Sequence, residues 1–297
     1  MRLPDDPGLL AVLAALDVNA EACLGHGGEA WVYALDGDRI VRVLHDGHER
    51  SHVERRRELL AELTDAGAEI DLPWVLDVGH VGDRWYTVEC RYVGDTLLQQ
   101  LPRLDGAARD RLVEHHLHVA ARLAALPLDR RGWFGDLIVD DPVRADTWRG
   151  YLRQRAAQRL ELAPPSFHGV DADALATDMD DCTEPVFVHL DAFAGNMLAV
   201  GTRVTAVLDV GVTAVSGASY LDPVAAAVYL ATPEITPIVI DRDVDVALAW
   251  LRNAGLADHY EPTRRWLAAF WCPFTSDTPL HRWCRAVLLE GTGTLER

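Results

Sequence analysis

An α+β fold is what this chain predicts, with strands gathered near the N-terminus and helices filling most of the remainder. Three observations carry that expectation. Residues 23–91 hold short β-rich runs broken by glycine turns, whereas residues 107–162 and 244–289 show helical periodicity. Between these helical regions, Val186–Gly211 (VFVHLDAFAGNMLAVGTRVTAVLDVG) returns to β-rich runs and concentrates polar residues between them. With 297 residues the chain is long enough for one large domain or two lobes.

In chain order, Asp6–Val18 reads as a short amphipathic helix packed on the first lobe. Trp31, Tyr33 and Leu35 alternate before Asp36-Gly37, and Ile40–Leu44 completes a hairpin. Glu49–Ala66 is a charge-rich helix with Val53, Leu59, Leu60 and Leu63 on its apolar face and Gly67 as its stop. Two further strands lie at Trp74–Val81 and Arg84–Arg91. Ala107–Leu126 and Asp146–Leu162 read as helices. Between the second of these and Val186, an acidic loop gathers Asp171, Asp173, Asp178, Asp180, Asp181 and Glu184. His115, His116 and His118 face different ways on their helix, so they are expected to be exposed or singly hydrogen-bonded rather than metal ligands. Three C-terminal helices, rich in tryptophan, close the chain between Val244 and Leu289.

The polar residues at Val186–Gly211 fall at strand ends, where a scaffold presents side chains to a cleft. His189, Asp191 and Asn196 form an H-x-D-x-x-x-x-N arrangement, and Asp209 follows thirteen residues after Asn196. Phosphoryl transfer asks for a carboxylate to orient the attacking hydroxyl and for hard oxygen ligands to hold Mg²⁺. Asp191 suits the first task, and Asn196 and Asp209 suit the second. This stretch resembles the catalytic and metal-binding segments of the aminoglycoside phosphotransferase and choline kinase-like family. The family's H-G-D-x-x-x-x-N and I-D-W/F stand here as HLDAFAGN and LDVG.

The resemblance implies a bilobal protein-kinase-like fold. Residues 1–93 would form a small nucleotide-binding lobe, with an antiparallel sheet plus one helix. Residues 94–297 would form a larger, mainly helical catalytic and substrate-binding lobe. LGHGGEAWVY looks like the glycine-rich loop, with Gly25, Gly27 and Gly28 approaching phosphates and Ala30 at the third glycine position. The strand cation that meets phosphate is Arg42 rather than lysine; the chain contains no lysine. Glu58 is the expected helix partner of that cation, with Glu54 the competitor one turn earlier. YTVECRYVGDTL resembles the hinge that offers backbone groups to adenine, spanning Glu89–Tyr92, so Glu89 and Arg91 are assigned to the nucleotide site. His189 and Asp222 are implied to support the catalytic loop.

Forty-six acidic residues against twenty-eight basic ones give a formal charge of −18, which disfavours nucleic acid or an anionic membrane as partner. No apolar run approaches the ~20 residues of a spanning helix, and the start lacks a basic signal-peptide region. Five scattered cysteines without C-x-x-C spacing point to a reducing cytoplasm and away from zinc. The activity expected is Mg²⁺-dependent transfer from ATP or GTP to a hydroxyl of a small, cationic antibiotic or natural product, by a monomer or homodimer. A metabolite kinase acting on a sugar, choline or amino alcohol is the alternative. A nucleotide-binding pseudokinase is a third reading, prompted by Arg42 and Ala30.

Overall fold

The structure is a computed structural model, and it describes residues 6–128, 132–273 and 278–290. Helix α1 (Pro7–Ala15) starts on Asp6, whose Oδ1 accepts the Leu9 N–H at 2.8 Å, with Pro7 in the first turn. Its Leu9, Val12 and Leu13 pack on Tyr33, Val41 and Val43, sealing one face of the first sheet.

That sheet is antiparallel with order β1-β2-β3-β5-β4, built from β1 (Cys23–His26), β2 (Ala30–Ala34), β3 (Arg39–Leu44), β4 (Val75–Val81) and β5 (Arg84–Cys90). The register sets Arg42 opposite Val32 on one side and Thr87 on the other. Helix α2 (Arg50–Asp65) runs between β3 and β4. It ends as the sequence suggests: Gly67 adopts φ 86°, its N–H reaches Thr64 O, and Ala68 N–H reaches Leu63 O. This is a Schellman closure that only glycine enters without strain. The first half of α2 carries buried His52 and Arg56, while Leu59, Leu60 and Leu63 join the core of the second lobe.

Beyond Cys90 the chain enters the larger lobe. A three-stranded sheet, order β11-β10-β6, uses β6 (Asp95–Thr96), β10 (Met197–Val200) and β11 (Arg203–Val207). A four-stranded sheet, order β8-β7-β12-β9, uses β7 (Phe134–Asp136), β8 (Arg144–Ala145), β9 (Val186–Val188) and β12 (Val215–Gly217). Around them lie the short α3 (Leu97–Gln100) and α6 (Ala172–Thr177) and the longer α4 (Gly106–Leu123), α5 (Trp148–Leu162) and α7 (Leu221–Leu230). The C-terminal set is α8 (Asp241–Asn253), α9 (Tyr260–Trp271) and α10 (Pro279–Leu288). One continuous apolar core runs through this lobe. The α+β, bilobal, kinase-like expectation therefore stands.

Three details differ from the sequence reading. Helix α4 ends at Leu123 rather than Leu126, since Pro127 disfavours helical geometry just before it. Asp171 is the cap of α6, accepting from the Asp173 and Ala174 N–H groups, and Asp178 pairs with Arg265, so the acidic segment is partly ordered structure. Of the sheet β8-β7-β12-β9 only β9 was anticipated, because the other strands, of two or three residues, carry no periodicity. No helix among the described residues is long and apolar enough to cross a membrane.

Candidate active site

The catalytic loop leaves β9 at His189 and is held from two sides. Asp222, fully buried at the start of α7, accepts the N–H of His189 at 2.7 Å on one oxygen and the N–H of Leu190 at 2.8 Å on the other. Burial pushes the Asp222 carboxyl up to about 6, against those two hydrogen bonds and His189. Nδ1 of His189 accepts the Asp191 N–H at 3.2 Å, which leaves Nε2 as the N–H that donates to Leu208 O at 2.9 Å. One imidazole thus ties the backbone of Asp191 to the residue preceding Asp209.

Leu190 fills the place where the resembled motif has glycine, and its backbone is left-handed at φ 64°. That conformation costs a branched side chain roughly 1–2 kcal/mol. It is held by the Asp222 hydrogen bond, by Tyr229 Oη donating to Leu190 O at 2.7 Å, and by complete burial of the side chain. His116, buried on α4, reaches Ala192 O at 2.8 Å and braces the next residues of the loop. Phe193 folds over Gly195 so closely that a Cβ there would lie 2.3 Å from the ring.

Asn196 turns its Nδ2 to Asp191, donating to Oδ2 and to the backbone oxygen, both at 3.0 Å. Asp191 is half-buried, and its carboxyl is raised to about 8, first by desolvation and then by the negative charge of Asp209. Asp209, with φ 54° at the end of the strand pair, is partly open to solvent. Asn196 Oδ1 and Asp209 Oδ2 accept no hydrogen bond among the described residues, so two hard oxygens stand free beside Asp191. That donor set fits Mg²⁺.

Across the cleft, β1 and the turn that follows it carry Gly25, Gly27 and Gly28, and a Cβ built on any of them meets nothing within 4 Å. None has positive φ, so backbone strain does not require glycine here; the open space beside the turn is the notable feature. Arg42 lies behind it, 5% exposed, with Nη2 donating to Glu29 Oε2 at 2.7 Å and to Asp209 Oδ1 at 3.0 Å. Its Nε and Nη1 donate to no residue among those described.

The cation's partner therefore differs from the sequence expectation. Glu58 is exposed and does not reach Arg42, and Glu54 pairs with Arg50 on the helix surface. Glu29, in the glycine turn, supplies the carboxylate, and α2 contributes His52, whose Nε2 lies 2.6 Å from Glu29 Oε1. Burial alone would raise the Glu29 pKa; Arg42 and the His52 hydrogen bond outweigh it and hold the carboxyl far below its usual range. Gly211 is needed beside this group, because a Cβ there would lie 2.6 Å from Glu29 Oε2.

Arg56 follows His52 by one turn of α2. It donates to Glu89 Oε1 at 2.6 Å and to Val210 O at 2.8 Å, and Thr87 Oγ1 donates to the same Glu89 oxygen. Desolvation opposes the charge on Glu89, yet Arg56 keeps its pKa below the ordinary value. The Glu89 side chain is thus a buried support, and its backbone lies within β5 opposite Ile40 and Val75 rather than in a free hinge. The exposed Arg91 donates its backbone N–H to Asp38 O, so that N–H is not free for adenine. Sequence reasoning passed over Glu29, His52 and Arg56, which sit among ordinary charged residues of a polar turn and a charge-laced helix. Their signal is partial: in ERSHVERRREL, His52 and Arg56 share the face of Leu59, Leu60 and Leu63 at helical spacing.

Comparison with known proteins places the family and the fold. A profile of the phosphotransferase enzyme family matches residues 24–270. No curated protein sequence matches. Among solved structures, the ADP-bound aminoglycoside phosphotransferase APH(2'')-Ib is 15% identical, covering 96% of this chain and 97% of that chain, with TM-score 0.61. The gentamicin complex of APH(2'')-IIa is also 15% identical, over 98% and 95% of the two chains, with TM-score 0.63. APH(3'')-Id from Streptomyces rimosus is 15% identical over 86% and 96%, with TM-score 0.53. At such identity these structures speak for the fold, while the profile spans most of the chain. The chain belongs to the phosphotransferase enzyme family and shares the protein-kinase-like fold of the aminoglycoside phosphotransferases.

Proposed function

We propose that the protein transfers the γ-phosphate of ATP or GTP to a hydroxyl of a cationic small molecule of the aminoglycoside type, in a Mg²⁺-dependent reaction. The observation that carries this reading is the convergence of Asp191, Asn196 and Asp209 with Arg42 across from an open glycine turn. Asp191 orients the acceptor hydroxyl and takes its proton; a carboxyl raised to about 8 is matched to that task near neutral pH. Asn196 Oδ1 and Asp209 would hold Mg²⁺, which neutralises phosphate charge when bound. Gly25, Gly27 and Gly28 leave open space in which phosphates can approach the backbone, with the Gly27 N–H itself held by Ala30 O at 3.0 Å, and Arg42 adds its remaining guanidinium nitrogens. His189 and Asp222 hold the loop.

Residues 1–93 form the nucleotide lobe and residues 94–297 the catalytic lobe in this reading, with the passage after Cys90 carrying the hinge. The net charge of −18 favours a cationic acceptor, and solved members of the fold carry gentamicin or streptomycin. Five cysteines without disulfides suit a cytoplasmic protein. A thermal-shift titration with ATP and GTP, with and without Mg²⁺, tests the reading, because a ligand of the folded state raises Tm as RT ln(1 + [L]/Kd). Mg²⁺-dependent stabilisation is the expected result. No shift at millimolar nucleotide would favour the pseudokinase alternative.

A further inference from the structure

Behind the glycine turn, two imidazoles converge on one carboxylate. His52 Nε2 lies 2.6 Å from Glu29 Oε1, and the ring of His48 lies 4.5 Å from that of His52, tilted by 45°. One oxygen of Glu29 and one ring nitrogen from each histidine all lie within 4.8 Å of one another. Phosphotransfer accounts for Glu29 through Arg42, and for His52 through Glu29, but it gives His48 no task. The His48 ring nitrogens hydrogen-bond to no residue among those described, although the side chain is partly buried.

We propose that Glu29, His48 and His52 form a second metal site, selective for a borderline divalent transition ion such as Zn²⁺ or Co²⁺ rather than Mg²⁺. Two imidazole nitrogens and one carboxylate oxygen are the donor set such ions prefer, with water completing the coordination. The other Glu29 oxygen is already oriented by the Arg42 guanidinium at 2.7 Å, which is the kind of outer hydrogen bond that fixes ligating carboxylates. The three ligands come from the glycine turn, the β3–α2 connection and the first turn of α2. A bound ion would pin these segments together at the back of the phosphate site. Glu29 and His52 are buried side by side; on binding, the ion takes the place of the proton in their 2.6 Å hydrogen bond and the more exposed His48 turns to close the set.

Untagged protein is titrated with Co²⁺ in millimolar Mg²⁺, which occupies the hard oxygens of the catalytic cleft, and the visible absorption of low-coordinate Co²⁺ is read. The expected result is one equivalent bound, displaced by Zn²⁺. His48→Ala, which keeps the Glu29–His52 contact and so the fold, weakens binding at least about tenfold. His48→Cys restores it with an added thiolate-to-cobalt charge-transfer band. Failure of the wild-type protein to bind Co²⁺, or equal affinity in His48→Ala, overturns the proposal. Neither readout depends on phosphotransfer, so the outcome is separable from that of the proposed activity.

Discussion

Arg42 and Glu29 form a buried ion pair whose parts cannot be removed singly without cost. Replacing Arg42 with methionine strands the Glu29 charge, and urea unfolding should show a loss of about 3 kcal/mol. Glu58→Ala should stay within about 0.5 kcal/mol of wild type, since the side chain is exposed and distant from the pair. Asp191 makes a pH-dependent prediction. Unfolded, its carboxyl ionises near the ordinary aspartate value; folded, it holds its proton until about pH 8. Across that interval the folded state binds more protons, so this group's contribution to stability falls as pH rises and levels off above about 8. Asp191→Asn should therefore raise Tm relative to wild type at alkaline pH, with the difference vanishing in acid, while transfer is lost. Equal melting curves at pH 9 would refute the raised value. The residues that the motif names, Asp191, Asn196, Asp209 and Asp222, were legible because their chemistry demands fixed types at fixed spacing. Glu29 was not, since a glutamate in a polar turn differs from a solvated one only by what folds over it.

At the level of elements, α2 is the joint between the lobes. Its first half reaches Glu29 and Glu89 through His52 and Arg56, and Arg56 also holds Val210 O beside Asp209. Its second half sits in the core of the larger lobe. A double-mutant cycle on Arg56 and Glu89, read by thermal or urea unfolding, should give a coupling of about 2 kcal/mol. Additive effects would mean that the pair does not act as a unit. The catalytic loop is a second such element. Leu190→Gly would relieve a left-handed backbone but remove a fully buried leucine, whose loss costs roughly 3–5 kcal/mol, so net destabilisation is expected in a denaturant titration. Long elements with clear periodicity were readable from the sequence, as were the hairpins and the glycine stop of α2. The short β7, β8 and β12 were not, because two or three residues form a strand only through the partners that flank them.

Over the whole molecule, two lobes bring the glycine turn and Arg42 to face Asp191, Asn196 and Asp209, residues separated by 149 to 184 positions in the chain. The general architecture followed from local patterns, whereas the wiring between lobes depends on contacts that no single segment encodes. Those contacts run from Arg42 to Asp209 and from Arg56 to Val210, and they couple the side of the glycine turn to the side of Asp191, Asn196 and Asp209. The most direct test is a transfer assay: protein, Mg²⁺ and ATP or GTP with a panel of cationic aminoglycosides, each acceptor weighed by mass spectrometry. Wild-type protein should add one phosphoryl group to an acceptor hydroxyl, and Asp191→Asn should be slower by about 10²–10⁴. An Asp191→Asn protein that transfers phosphate at close to the wild-type rate would contradict the account.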